Sequence, residues 1–118
     1  PYVVKSNSEL HKKMSSSKTH NGFTATNVGF YGPQGRILRL PIQDNELNDK
    51  LATFNYKGIS ITNLEMETAG IYGLAALLGH KAISMNAIIA NRPNGNFSKN
   101  PKLTVERLIE YTLDKLVE

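Results

Sequence analysis

The sequence predicts an α/β fold of three layers, with helices on both faces of a mostly parallel or mixed central sheet. One observation and one physical rule support this prediction. Segments that read as strands at residues 20–26, 59–64 and 81–90 alternate along the chain with segments that read as helices. Strands that alternate with helices pair in parallel and are covered on both faces, because each helical connection packs against the sheet.

The first half of the chain alternates helix, strand, loop and helix. Leu10, Met14 and Ser17 fall on one side of a short predicted helix, and lysines fall on the other. Three glycines and a proline between residues 27 and 36 indicate a loop. The predicted elements are a helix over residues 6–17, a strand over residues 20–26, an extended segment over residues 36–40 that Pro41 ends, and a helix over residues 44–54.

The second half repeats the alternation with more apolar elements. Gly79 is placed to close an apolar helix. The final helix has the clearest start, because Asn100 can cap it and Pro101 suits its first turn. The predicted elements are a strand over residues 59–64, a helix over 68–78, a strand over 81–90, a loop over 91–100, and a final helix with an inward face of Val105, Leu108, Thr112 and Leu116.

The composition is that of one soluble globular domain. The chain has 118 residues, of which 40% are hydrophobic and 20% charged, enough for a single core. No apolar run is long enough to span a bilayer, and the absence of cysteine fits the cytosol, so we expect a cytoplasmic protein without a membrane partner. The net charge of +4 does not indicate a nucleic-acid partner, because no aromatic residues interleave with the N-terminal lysines. The three histidines lack metal-ligand spacing, so no metal site is predicted.

Glu65 and Glu67 stand where the predicted strand over residues 59–64 runs into an apolar helix. Negative charge at such a junction needs a partner, and a ligand rich in hydroxyls is one candidate. A Glu-x-Glu pair at a helix start is more often simple complementarity to the helix dipole. Ligands of open α/β sheets bind beyond the carboxyl ends of the strands, so we expect residues 27–36, 65–67 and 91–92 to share one edge.

Three motifs at these places resemble those of uridine phosphorylase. They are GFTATNVGFYGPQGR at residues 22–36, NLEMETA at residues 63–69 and IIANR at residues 88–92. The Glu-Met-Glu motif is shared across the nucleoside phosphorylase superfamily, whereas the loop with Phe30, Gln34 and Arg36 is typical of the uridine branch. The resemblance covers the whole chain but matches only the C-terminal half of the family's subunit. It implies that residues 1–118 are a single partial domain, the nucleoside-binding half of that fold.

The resemblance implies roles on the base side of the site. Gln34 has a donor and an acceptor that match the O2 and N3–H edge of uracil, and Arg36 and Arg92 would donate to O4 directly or through water. These three are the implied catalytic residues, because negative charge grows on the base as the glycosidic bond breaks. Phe30 would offer a flat face to the base or sugar. The base pocket would also be lined by Ile89 and Ala90.

On the sugar side the resemblance implies a different set of contacts. Glu67 would accept hydrogen bonds from the ribose hydroxyls, and Met66 would pack against the sugar as an adaptable apolar surface. Glu65 is a weaker candidate for substrate binding. The implied reaction is the phosphate-dependent cleavage of uridine to uracil and ribose 1-phosphate in pyrimidine salvage. It uses inorganic phosphate as co-substrate and no cofactor, and the family assembles as homo-oligomers, here expected to be a hexamer.

Two departures from the family limit what this chain should do alone. The family holds phosphate with N-terminal segments that have no counterpart here, and a neighbouring subunit's histidine is missing too. We therefore expect the chain to be a fragment that is inactive by itself. The alternatives are a purine nucleoside phosphorylase or nucleosidase, and a catalytically silent binding or assembly domain. The purine enzymes need an acid near the strand end, and none occurs at residues 90–92.

Overall fold

A computed structural model describes residues 2–118 and has four helices and five short strands within them. This confirms an α/β fold in the general sense, with small mixed sheets. The helices are α1 (Ser8–Met14), α2 (Leu47–Thr53), α3 (Thr68–Leu77) and α4 (Pro101–Val117), and a 3-10 helix covers Gly32–Gln34. The strands are β1 (Phe23–Thr26), β2 (Asn55–Tyr56), β3 (Ile59–Glu65), β4 (Ala90–Asn91) and β5 (Asn96–Phe97).

The larger sheet has β3 at its centre. β1 pairs with β3 in parallel and β2 pairs with it antiparallel, giving the strand order β1-β3-β2. The parallel register sets Thr26 opposite Glu65, so the carboxyl ends of β1 and β3 lie side by side. β4 and β5 form a separate antiparallel hairpin in which Ala90 pairs with Phe97. The sheet therefore brings the loop after β1 and the Glu-Met-Glu junction to one edge.

Local capping decides where several helices begin and end. The Asn100 side chain accepts a hydrogen bond from the Leu103 amide at 3.1 Å, which confirms the predicted cap of α4. α1 is shorter than predicted, because Ser15 is extended and its hydroxyl bonds the His11 carbonyl at 2.8 Å. α2 begins at Leu47 rather than at residue 44, because the Asp44 carboxylate instead accepts the Glu46 amide at 3.0 Å. None of the helices within residues 2–118 combines the length and apolarity needed to cross a bilayer.

The predicted strand over residues 81–90 is wrong except at its last residue. A strand needs a paired neighbour, and within residues 2–118 the backbone of residues 83–88 makes one hydrogen bond, from the Ser84 amide to the Tyr72 hydroxyl at 2.7 Å. Residues 36–40 form no strand for the same reason. The predicted loop over residues 91–100 instead contains β5, which closes a hairpin on β4.

The apolar core is sparse. Met14 is the one apolar side chain classed as buried among residues 2–118, with 3% of its surface exposed. The chain exposes 9215 Å², whereas a folded chain of this length is expected to expose about 6400 Å². Its radius of gyration is 15.6 Å, against about 13.5 Å expected. The proposed inward face of α4 is wrong at Val105 and Leu116, which are exposed because the helix that packs on α4, α1, has only seven residues.

One exposed apolar surface lies on α3 and its C-cap. Leu77 is 83% exposed, and Ile71, Leu74 and Leu78 are exposed as well. A contiguous apolar face of this kind drives association in water. We therefore expect the protein to associate as its concentration rises.

Replacing Leu74 and Leu77 together with Gln should reduce that association, measured by size-exclusion chromatography with light scattering. The free energy of unfolding should change by less than about 1 kcal/mol, because the exposed side chains make few contacts. Met14→Ala is the contrasting variant and should cost about 2–5 kcal/mol. A large loss of stability in the double Gln variant would show that this face of α3 is buried.

Candidate functional site

The junction between β3 and α3 is held by the Glu65 carboxylate. One of its oxygens accepts a hydrogen bond from the Thr26 hydroxyl, and the other accepts the backbone amides of Glu67 and Thr68, both at 2.6 Å. The Thr26 oxygen in turn accepts the Ala69 amide at 2.9 Å. The first amides of a helix have no partner within the helix, so this arrangement satisfies three of them. Glu65 therefore caps α3 through its side chain.

Hydrogen bonding keeps the Glu65 carboxylate charged. Partial burial by itself would raise its pKa, but the hydrogen bonds from Thr26, Glu67 and Thr68 outweigh burial and hold the pKa below its ordinary value of 4.5. Tyr72 lies near enough to sense this charge. Burial of its hydroxyl, and secondarily the Glu65 charge, raise the pKa of Tyr72.

Glu67 and Met66 are presented differently from Glu65. Both are exposed, with Met66 41% exposed. The Glu67 carboxylate accepts a 3.2 Å hydrogen bond from the Met66 amide, its one hydrogen bond from residues 2–118. It therefore retains most of its acceptor capacity for a ligand.

The loop after β1, residues 27–36, is the second part of the site. It folds back on Tyr31, whose carbonyl accepts the amides of Gln34 at 3.0 Å and Arg36 at 2.9 Å. Gly35 allows this turn because its φ is 72°, in the left-handed region. The result buries Gln34, which is 4% exposed. We call residues 30–36 the base loop below.

Arg36 ties the base loop together. One terminal nitrogen of its guanidinium donates to the Gln34 side-chain oxygen at 2.6 Å and to the Phe30 carbonyl at 2.5 Å. Its central carbon lies 3.8 Å from the centre of the Phe30 ring, a cation–π contact. One face of Phe30 is therefore covered by Arg36, and only the remaining surface of the ring can meet a ligand.

Arg92 connects the β4–β5 hairpin to the base loop. It follows β4 directly, and its guanidinium donates to the Gln34 backbone carbonyl at 2.5 Å. Both guanidinium groups donate to Gln34, and burial, with the charge of Arg36 as a second cause, lowers the pKa of Arg92.

The predicted site residues thus form two groups, which follow the carboxyl ends of the paired strands β1 and β3. Phe30, Gln34, Arg36 and Arg92 make one connected cluster. Arg92 reaches this first group from the separate β4–β5 hairpin, so the expectation that residues 91–92 follow a strand of the same sheet is wrong. The other group is residues 65–67, joined to the segment after β1 by the Asn27 amide, which donates to the Glu65 carbonyl at 2.8 Å. Ile89 and Ala90 lie at the start of the hairpin that carries Arg92, with Ile89 half-buried and Ala90 exposed.

Sequence reasoning missed Thr26 and Asn48. Thr26 had no local signal, because its position opposite Glu65 is set by the parallel pairing of β1 with β3. Asn48 had no signal, because it is distant in sequence and supports the base loop by donating to the Gly35 carbonyl at 3.3 Å.

An open groove of about 1200 Å³ is lined in part by the base loop. Its lining includes Tyr31 and Arg36, together with the apolar side chains Val28, Ile37, Leu38 and Leu40. The residues of the Glu-Met-Glu junction do not line it. No grouping of His, Asp and Glu within residues 2–118 is arranged to hold a metal ion.

Comparison with known proteins gives no match to a family model, a curated protein or a solved structure.

Gly35→Ala should disturb the base loop more than Gly95→Ala. Both glycines have a positive φ, 72° and 69°, so each alanine should cost about 1 kcal/mol of stability from backbone strain. A Cβ on Gly35 would stand 2.3 Å from the Asn48 side-chain oxygen, whereas one on Gly95 meets open space. Displacing Asn48 should remove its hydrogen bond and cost about 1 kcal/mol more. Equal losses in urea unfolding of the two variants would contradict this reading.

The stability supplied by Glu65 should depend on pH. Because its folded pKa lies below its ordinary value, the carboxylate stabilises the fold fully above about pH 4.5 and loses that contribution as the pH falls through the folded pKa. Glu65→Gln should cost about 1–2 kcal/mol at pH 7. In urea unfolding across pH 2–7, the gap between the wild type and Glu65→Gln should narrow at the acidic end.

Glu67→Gln is the matched control for this experiment. It removes a charge two residues away whose hydrogen bond is local, so its effect at pH 7 should stay within about 0.5 kcal/mol. A Glu67→Gln loss as large as that of Glu65→Gln would contradict the assignment of the cap to Glu65.

Proposed function

We propose that this chain is the nucleoside-binding part of a uridine phosphorylase, a pentosyltransferase that cleaves uridine with inorganic phosphate. The observation that supports this best is the buried Gln34, whose side-chain oxygen accepts a hydrogen bond from Arg36 and whose backbone carbonyl accepts one from Arg92. Gln34 lies in the loop that follows β1, and β1 pairs with the strand that leads to Glu67. The three-layer phosphorylase fold, the cytoplasmic location and the hexamer belong to the same proposal.

The base loop supplies the groups that a uracil edge needs. The Gln34 oxygen accepts one hydrogen bond from Arg36 and has a second lone pair for the N3–H group of uracil. Its side-chain nitrogen donates no hydrogen bond within residues 2–118, so it can donate to O2. Arg36 and Arg92 have further N–H groups for O4, directly or through water. Phe30 orients the Arg36 guanidinium by stacking against it.

The proposed contact with the ribose is based on the exposure of Glu67. A carboxylate with free acceptor capacity binds adjacent hydroxyls well, because hydrogen bonds to a charged acceptor are strong. Met66 beside it provides an exposed apolar surface for the ribose ring. Ile89 and Ala90 would close the base pocket from the hairpin.

The chemical step joins these two sides. A phosphate oxygen bonds to the anomeric carbon while the bond from that carbon to N1 of uracil breaks, and its electron pair leaves on the base. Positive charge develops on the sugar, as in other glycosidic cleavages. Negative charge spreads to O2 and O4, where Gln34, Arg36 and Arg92 stabilise it more in the transition state than in the ground state. No proton donor to the base is required, because the uracil anion is stabilised by these donors.

In this proposal phosphate binds to groups other than the base loop, Arg92 and residues 65–67. The open surface of the chain is consistent with that arrangement. The unpaired backbone of residues 83–88 and the exposed face of α3 are places where further strands or subunits would pack. A completed phosphorylase subunit and its oligomer would cover both.

Uracil binding tests the proposal directly. Isothermal titration calorimetry of the 118-residue chain with uracil should show binding, with adenine and hypoxanthine much weaker. Gln34→Ala should abolish the preference for uracil, because it removes both partners of the O2 and N3–H edge. The expected loss is roughly tenfold to a hundredfold in uracil affinity.

Asn48→Ala is the matched control, since it loosens the base loop at Gly35 but leaves the Gln34 amide in place. It should weaken uracil binding less than Gln34→Ala does. Equal binding of purines would favour a purine nucleoside phosphorylase or nucleosidase, and no nucleobase binding would favour a catalytically silent assembly domain. The chain alone should release no uracil from uridine in phosphate.

A further inference from the structure

Thr26 lies at the meeting point of three elements. It ends β1, it stands opposite Glu65 of β3, and its hydroxyl oxygen accepts the amide of Ala69 in α3 at 2.9 Å. The same hydroxyl donates to the Glu65 carboxylate. One half-buried side chain therefore fixes the first turn of α3 relative to both strands.

The hydrogen bonds of Glu65 are directed into the protein. Its carboxylate accepts Thr26 and the amides of Glu67 and Thr68, which occupy three of its roughly four acceptor positions. A sugar hydroxyl would have to compete with these contacts. At Glu67 a sugar hydroxyl meets a carboxylate with one long hydrogen bond of 3.2 Å.

We propose that Thr26 and Glu65 form a positioning pair that holds the Glu67 backbone, and hence its carboxylate, in place for the ribose without touching the substrate. This inference rests on the proposed function, because it concerns the sugar side of that site. In this inference Glu65 does not contact the substrate but acts by holding Glu67. Thr26 would then affect how strongly the sugar of a nucleoside is bound.

The physical reason lies in the freedom of Glu67. Its amide is anchored to Glu65 at 2.6 Å, so its Cα is fixed and only side-chain rotation remains before a ligand binds. Without the anchor, binding would also have to order the backbone at the start of α3. Ordering one residue's backbone costs about 1–2 kcal/mol, which would be subtracted from the sugar's share of the affinity. The base loop makes none of its hydrogen bonds to Thr26. The contribution of the base to the affinity should therefore not change.

The test compares uracil with uridine, because only uridine carries the sugar. Thr26→Val keeps the shape of the side chain but removes its hydroxyl, and it should lower uridine affinity roughly tenfold while uracil affinity stays within about twofold. Thr26→Ser keeps the hydroxyl and should bind both ligands as the wild type does. Calorimetry on the full chain gives both affinities for each variant.

Thr24→Val is the matched control. Thr24 lies two residues earlier on β1, facing the same side of the sheet, and its hydroxyl donates to the Asn63 side chain at 2.6 Å. It makes an equivalent cross-strand contact away from the junction, so its loss should leave the ratio of uridine to uracil affinity unchanged. If Thr26→Val does not fold, Glu65→Gln, which keeps the side chain's size, should give the same sugar-specific loss.

The outcomes separate this inference from the function on which it rests. Absence of uracil binding by the wild type overturns the proposed function, and the positioning role with it. Uracil binding with equal loss of both ligands in Thr26→Val, with no loss, or with the same loss in Thr24→Val overturns the positioning role alone. A loss confined to uridine and restored by Thr26→Ser supports it.

Discussion

The contact of Thr26 and Glu65 with the first turn of α3 is the interaction on which this edge of the molecule depends. A charged carboxylate at the amino end of a helix is favoured by the helix dipole and satisfies amides that would otherwise lack partners. Here the same carboxylate also receives a hydroxyl from the neighbouring strand. Strand pairing and the start of the helix are thereby stabilised by one group, and Glu67 is left free to face outward.

The charged groups at the base loop are positive, in contrast to the Glu65 carboxylate. Arg36 and Arg92 both donate to Gln34, one to its side chain and one to its backbone. Two neighbouring guanidinium groups repel each other, and the pKa of Arg92 is lowered by burial first and by the charge of Arg36 second. Carbonyl dipoles offset it only in part. A ligand that carries carbonyl oxygens, and more so one that becomes an anion, would relieve the repulsion, as the proposed nucleobase leaving group would do.

How far the sequence predicts this structure depends on whether the signal is local. The cap at Asn100 and the strand that ends at Glu65 are encoded by adjacent residues, and both are found where expected. Residues 81–90 have strand-like composition, but pairing requires a neighbour that composition does not reveal. The sequence also predicts that Glu65 needs a partner. It could not show that Thr26 and two amides supply it, because the parallel register that brings them together is a tertiary property.

The open surface bears on how strongly such a site can bind. Gln34 is buried, but Phe30, Glu67 and Arg92 are exposed, so water competes for most of the hydrogen bonds that a nucleoside would make. Hydrogen bonds and charge pairs strengthen as water is excluded and the local dielectric falls. The exposed area of the chain is about 2800 Å² larger than the area expected for its length. This excess is larger than the area of about 1600 Å² that a standard protein interface buries on both partners together. Covering that surface would stabilise the fold and enclose the edge that carries the site, so affinity and assembly would rise together.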